Sequence, residues 1–563
     1  MKFSQMPYQR PDFEPLKQQA LAHIDAFEQA ASGEDALAAY TAFDALKIHF
    51  ETQGGLAYIR YTLDTNDAFY TAEQDYFDET GPMLYELLQS MEKALLTSPH
   101  RAFLEGKFGK LLFENAEIHM KAFSPALIPD MQQDNKLTSE YKKLLASAQI
   151  AFDGKTLTLA ELEPYHQHAD RAVRQASIEA RAAWFLSHGE RLDSLFSELV
   201  SVRNAMGRKM GYADFVELGY YRMGRNGYDE NMVAAFHEGV RMHIVPIAAR
   251  LKREQAARIG VPALTMHDDA FEFPTGNAKP TGTPEDIFAH GKAMYHKLSA
   301  DTAEFIDYML QNELFDVLTK PGKSGGGYCI YLEEHQSPFI FANFNGTSGD
   351  IDVLTHEAGH AFAYYINREV APSALGEFTY ETAEVHSMSM EFFTWPWMEG
   401  FFGPATGKYR YSHLAGALTF IPYGVMVDDF QHRVYKNPGM SAAERNALWL
   451  ELEGIYRPWL DLKNTPFYGE GRRWQAQSHI YERPFYYIDY CLAQTVALAF
   501  WAEDQADHAA AWKRYRSFVG YGGTKTFIDS VASAGLPNPF QPDALKGLAE
   551  AATAWLDAQP SYT

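Results

Sequence analysis

Five consecutive residues, His356-Glu357-Ala358-Gly359-His360, carry the densest chemistry in the chain. On an α-helix, positions four apart lie one turn on along the same face, so both imidazoles can reach one ion at about 2.0–2.1 Å while Glu357 contacts a bound water. That suits a catalytic zinc, with Glu357 as the base that takes the water's proton. With 20 His in 563 residues, the bare H-E-x-x-H pattern arises by accident in roughly one chain in twenty of this composition, so its surroundings must decide.

A catalytic zinc takes three protein ligands and keeps one position open. The stretch GEFTYETAEVHSMSMEFF offers Glu377, Glu381, Glu384, His386 and Glu391. On a helix Glu384 shares a face with Ser387, Met388 and Glu391, and Glu381 lies one turn earlier on much the same face. Periodicity therefore does not choose between Glu381 and Glu384.

The elements that must hold these residues can be read around them. Asp350 and Thr355 offer polar starts for the motif helix, and Val353, Leu354, Ala361 and Phe362 give it a face to bury. Just upstream, glycines punctuate two β-rich runs, Tyr328–Leu332 and residues 339–344, which predicts a small sheet at about 323–345. Gly325, Gly326 and Gly327 lack the Gly-Lys-Ser/Thr ending of a phosphate loop and do not open a helix. They are expected instead as a flexible loop beside the cleft. Residues 339–344 are expected as an edge strand on which a peptide lies by main-chain hydrogen bonding, with Phe341 and Asn343 in contact with it.

Elsewhere the pattern is helical. From about residue 13 to 147 apolar residues recur three and four apart, as at Leu84, Leu87, Leu88, Met91 and Leu95. Asp153-Gly154 reads as the tight turn of a short hairpin near 150–160. Helical periodicity resumes from 169 to 260, the Pro/Gly/Thr-rich segment 271–286 is a loop, and helices dominate again from 351 onward. The expectation is a mainly α chain, with an N-terminal helical region (1–285) and a catalytic region (286–563) packed as one body.

The formal net charge of -24 and the lack of a basic patch argue against nucleic acid and anionic membrane as partners. Cys329 and Cys491 are the only cysteines, which fits free thiols in a reducing compartment. The N-terminus, MKFSQMPYQRPDFEPL, lacks the apolar run of a signal peptide, and no stretch reaches the eighteen or so apolar residues of a membrane span. A cytoplasmic address is expected.

Several segments resemble one family, the thimet oligopeptidase and oligoendopeptidase F zinc metallopeptidases, particularly the Pz-peptidase-like bacterial branch. PFIFANFNGTSGDIDVLTHEAGHAF resembles its strand and metal helix, AEVHSMSMEFF its third-ligand helix, and HIYERPFYYIDYCLAQ its substrate-binding segment. GYADFVELGYYRMGRNGY, IPYGVMVDDFQHRVYKNP and GGTKTF extend the likeness over residues 200 to 540. The resemblance implies a zincin-like, two-lobed helical body enclosing a deep channel, acting on short unstructured peptides. It implies one zinc per chain held by His356, His360 and Glu384, with Glu357 as general base and Glu391 orienting a ligand imidazole.

His479, Tyr486, Tyr487 and Tyr490 resemble the family's His followed by clustered tyrosines, which donate to the developing oxyanion. The spacing here is about one residue shorter than in the animal thimet branch, which leaves open which tyrosine faces the zinc. Two rivals stand beside the endopeptidase. One is a carboxypeptidase or dipeptidyl carboxypeptidase of the same chemistry, anchored by Arg472, Arg473 or Arg483. The other is a non-catalytic peptide-binding protein.

Overall fold

The computed structural model describes residues 1–562 and is mostly helical. The helices form where the apolar period is 3.6: in the helix Ala68–Thr97, Leu84, Leu87, Met91 and Leu95 are buried on one stripe. Local chemistry fixes where helices begin. Ser32 caps helix α1 (Gly33–Leu63) by accepting from the Asp35 N–H, and a reciprocal Thr283/Asp286 capping box starts the helix Pro284–Leu298 directly after the loop at 271–286. One hydrophobic cluster runs from Met6 to Leu556, and a smaller one ties the helices Phe13–Glu28, α1 and Ala68–Thr97 together.

Strands are few. Ile150–Phe152 and Lys155–Leu157 pair antiparallel around Asp153 and Gly154, both at positive φ (51° and 71°), as a two-residue hairpin turn requires. Leu264–Thr265 and Leu460–Asp461 form a short parallel pair. The sheet beside the motif helix has three strands, β1 (Phe315–Leu318), β2 (Tyr328–Leu332) and β3 (Ser337–Phe344), in the order β1-β3-β2. β3 runs parallel to β1 and antiparallel to β2, with Tyr328 opposite Phe341 and Leu332 opposite Ser337. This corrects the expected edge strand: residues 339–344 are central, with hydrogen-bonding partners on both sides, and the strand with an unpaired edge nearest the motif is β2.

Four helices build the site: α2 (Gly349–Asn367), α3 (Tyr380–Phe393), α4 (Thr406–Lys436) and α5 (Tyr487–Ala506). The buried Asp350 carboxylate ties the start of α2 to the end of β3 by accepting the N–H groups of Asn345 and Gly346, each at 2.8 Å. Gly359 sets the approach of α2 to α3. A Cβ there would lie 2.6 Å from both His386 O and Ser387 Cα, so only the missing side chain lets the two backbones cross this closely. Among the described residues no helix is long and apolar enough to cross a membrane.

Candidate metal centre

The crossing at Gly359 brings the second turn of α3 against the face of α2 that carries both motif histidines. Glu384 Oε2 lies 3.1 Å from His356 Nε2 and 3.4 Å from His360 Nε2. In a tetrahedral zinc site with bonds near 2.0–2.1 Å, neighbouring donors stand about 3.3 Å apart, so the spacing matches that donor set. Among the described residues, His356, His360 and Glu384 form the one group of three or more such side chains able to hold an ion. Glu381, one turn earlier and buried, lies outside it.

The group is arranged for a cation. Burial pushes the Glu384 carboxyl upward, but the two imidazoles outweigh it and hold it well below the usual range, so it is ionised. Its Oε2 also accepts from Ser387 Oγ at 3.0 Å, and its Oε1 accepts from the Tyr486 hydroxyl.

The orientation of His356 is fixed by a chain three residues deep. Trp395 can only donate, and its indole N–H reaches His413 Nδ1 at 3.1 Å. His413 must then carry its proton on Nε2, which lies 2.7 Å from Glu391 Oε2. The other oxygen of Glu391 lies 2.7 Å from His356 Nδ1 and accepts that proton, which turns Nε2 toward Glu384 and His360. His413 and Trp395 have no counterpart in the sequence reading. The only local signal was that Trp395 stands four residues after Glu391.

Glu357 is 6% exposed, and its Oε2 is buried without a hydrogen-bond partner among the described residues. Burial raises its pKa, against the two imidazoles that lower it. The space beside it exists because of Gly327, where a Cβ would lie 3.3 Å from Glu357 Oε1 and 3.1 Å from Val353 Cγ1. Gly325 and Gly326 face open space, Gly326 with φ +84°. Asn343 does not point at the cleft. Its amide donates to Ser324 O (2.9 Å) and Gly326 O (2.8 Å), so it shapes the glycine loop. The Phe341 side chain is fully buried, stacked on Tyr328 with centroids 4.6 Å apart. Both therefore support the loop and sheet, which corrects their expected role as substrate contacts.

The His479 segment lies over the cluster. Phe485 adopts a left-handed conformation (φ 66°), held by Gln431 Oε1 accepting its N–H at 3.0 Å, and the turn aims Tyr486 at Glu384. Tyr423 donates to Gln477 Oε1 at 2.7 Å, which leaves the Gln477 amide N–H to face His479 Nδ1 at 3.0 Å. His479 thus carries its proton on Nε2, 3.2 Å from Tyr490 Oη. Burial, helped by Arg483, pushes its pKa down to about 4, so the ring is neutral. Tyr487 turns the other way, toward Tyr423.

Two cavities border this segment. One, of about 470 Å³, is lined by Lys47, Glu51, Glu377, Tyr380 and Arg483 among others. The other, of about 390 Å³, is lined by Arg181, Tyr423, Arg473, Gln477 and Tyr487 among others.

Two family models match the chain: Peptidase M3 N-terminal domain over residues 3–123 and Peptidase family M3 over residues 286–550. A crystal structure designated oligoendopeptidase F is 47% identical with a TM-score of 0.99, each chain covered in full. PZ peptidase A with inhibitor 2 is 46% identical with a TM-score of 0.99, again over 100% of both chains. A structure designated oligoendopeptidase F from Bacillus anthracis str. Ames is 44% identical, TM-score 0.94, covering 100% of this chain and 99% of the other. Oligopeptidase PepF of Bacillus subtilis (strain 168) is 24% identical over 258 residues, a match that spans 43% of this chain but 37% of that protein.

Proposed function

The chain belongs to peptidase family M3 and is a metallopeptidase, and from that premise we propose that it is a zinc-dependent endopeptidase cleaving internal bonds of short, unstructured peptides. One observation carries the reading. A buried carboxylate without a partner, Glu357, stands beside a His356/His360/Glu384 donor set, in a gap that exists because Gly327 has no side chain.

His356, His360 and Glu384 would hold the ion, with Glu391 and His413 fixing the His356 ring. When bound, zinc supplies Lewis acidity that acidifies water and polarises the scissile carbonyl. Glu357 takes the proton of the attacking water and passes it to the leaving amine. Its raised pKa brings it closer to the operating pH, where a base can both accept and return a proton. The neutral His479 Nε2–H and the Tyr490 hydroxyl are the donors proposed for the developing oxyanion, while Tyr486 steadies Glu384. Main-chain pairing along the free edge of β2 would give recognition that tolerates many side chains. The two free thiols, Cys329 and Cys491, favour a reducing, cytoplasmic setting.

An internally quenched peptide blocked at both ends tests this reading, with products identified by mass. The expected result is cleavage at an internal bond, abolished by chelator and restored by stoichiometric zinc. Cleavage only of peptides with a free C-terminus would mean a carboxypeptidase, and binding without turnover would mean a peptide-binding protein.

A further inference from the structure

The segment GYYRMGRNGY, residues 219–228, supplies none of the proposed reactive groups, yet its buried arginine, Arg225, grips the turn that aims the tyrosines. The helix Phe215–Arg222 ends where Gly224 takes a positive φ (66°), with the Gly224 N–H on Tyr221 O (2.9 Å) and the Arg225 N–H on Tyr220 O (3.3 Å). That reversal folds Arg225 back over its own helix, its guanidinium 4.1 Å above the Tyr220 ring.

Arg225 is 4% exposed, and only one of its three nitrogens is engaged. Nη2 donates to the Phe485 carbonyl and to Asp489 Oδ1 (3.0 Å), while Nε and Nη1 are buried without partners among the described residues. A buried guanidinium so incompletely bonded is a poor source of stability. Both bonds it does make go to one turn, at the residues that immediately precede Tyr486 and Tyr490.

Phe485 needs such a hold. Its left-handed φ of 66° is costly for a bulky residue and persists only where the surroundings over-determine it. Gln431 of α4 takes its N–H, Arg225 takes its C=O, and its ring lies against Gly219, where a Cβ would come within 2.6 Å of it. The stretch before the turn is held likewise: the fully buried Arg203 donates to the carbonyls of Ile480 (3.1 Å) and Tyr481, and to Asp134 Oδ1 at 2.7 Å. The N-terminal half of the chain thus fixes the His479 segment from outside, Arg203 before the turn and Arg225 at it.

We propose that Arg225 is a positioning residue for the reaction, holding Phe485 in its left-handed turn so that the Tyr490 hydroxyl stays aimed at the developing oxyanion. It touches no reacting atom. The inference rests on the oxyanion role proposed above for Tyr490.

The test is a double-mutant cycle on the zinc-loaded protein with an internally quenched peptide, with kcat and KM separated and zinc content and melting temperature measured on every sample. Arg225→Met is expected to keep its zinc and to lower kcat about a hundredfold, the order that a displacement of about 1 Å costs, with KM within about threefold. Tyr490→Phe should lower kcat by about a hundredfold on its own, and adding Arg225→Met to it should cost no more than about threefold further. Arg225→Lys, which keeps a cation and a donor, should restore part of the loss. Because Arg225→Met leaves Asp489 buried without its partner, Arg225→Met combined with Asp489→Asn repeats the measurement without an unpaired carboxylate, and the same loss of kcat is expected. Unchanged kcat in Arg225→Met, a loss confined to KM, a full second loss in the Tyr490→Phe background, or full recovery on adding Asp489→Asn would overturn the positioning role alone. Full kcat in Tyr490→Phe would overturn the oxyanion assignment, and no turnover by the unaltered chain would overturn the peptidase reading; either result takes this inference with it.

Discussion

Glu357→Gln is expected to bind zinc as the unaltered chain does and to lose all but about one percent or less of its peptide-cleaving activity. Glutamine keeps the shape that fills the gap between α2 and the glycine loop, where Gly327 leaves room for a carboxylate and little more. It cannot accept the water's proton or return it to the leaving amine. General base catalysis is worth about 10²–10⁴, and here one group serves both transfers. No other described carboxylate stands ready to substitute: Glu384 is committed to the donor set, and Glu391 is bonded to two imidazoles. The comparison is of kcat/KM at saturating zinc, with metal content measured on the same samples. Residual activity above a few percent would sink the assignment of Glu357 as base. Loss of zinc alongside activity would instead show that Glu357 holds the ion.

Gly359→Val should disable the protein by another route, since it touches no proposed reactive group. The new side chain would meet backbone, His386 O and Ser387 Cα, at 2.6 Å, and backbone in the middle of two buried helices does not swing aside. The helices must part, and overpacking of this kind costs roughly 1–3 kcal/mol. Glu384 sits two residues before His386, so parting the helices also draws the third donor away from both histidines. A lower melting temperature is expected, together with at least tenfold weaker zinc binding in a competition assay. Gly416, in the middle of α4 with nothing within 4 Å of its would-be Cβ, is the control. Gly416→Ala should be neutral or stabilising by up to about 1 kcal/mol. Unchanged zinc affinity in Gly359→Val would show that the crossing does not set the donor geometry.

The parts of this site that were legible in the sequence were those governed by spacing along one element. His356, Glu357 and His360 share a helix, and their geometry follows from 3.6 residues per turn. The runs that became β2 and β3 announced themselves by β-branched and aromatic residues between glycines. β1 did not: Phe315-Asp-Val-Leu318 is four residues long, and its partner is a parallel strand more than twenty residues away. Missing it made β3 look like an edge.

The choice of Glu384 over Glu381 was not written in the periodicity of α3, because both lie on much the same face. It is made by the depth at which α2 crosses, which depends on Gly359 meeting backbone from another helix. His413 and Trp395 were harder still, since a histidine in the middle of a 31-residue helix carries no local mark of what it faces. Their roles follow only from the folded contacts, where a donor-only indole sets the His413 tautomer and an acceptor-only carboxylate, Glu391, takes a proton from both His413 and His356.

Anomalous diffraction at the zinc edge, from crystals of the unaltered chain grown with one equivalent of zinc, tests the metal centre most directly. The donor set described here predicts one peak per chain, within about 2.0–2.2 Å of His356 Nε2, His360 Nε2 and a Glu384 carboxylate oxygen, with Glu357 close by but not coordinating. A peak coordinated by Glu381 or Glu357 in place of Glu384, or none between the two histidines, would contradict it.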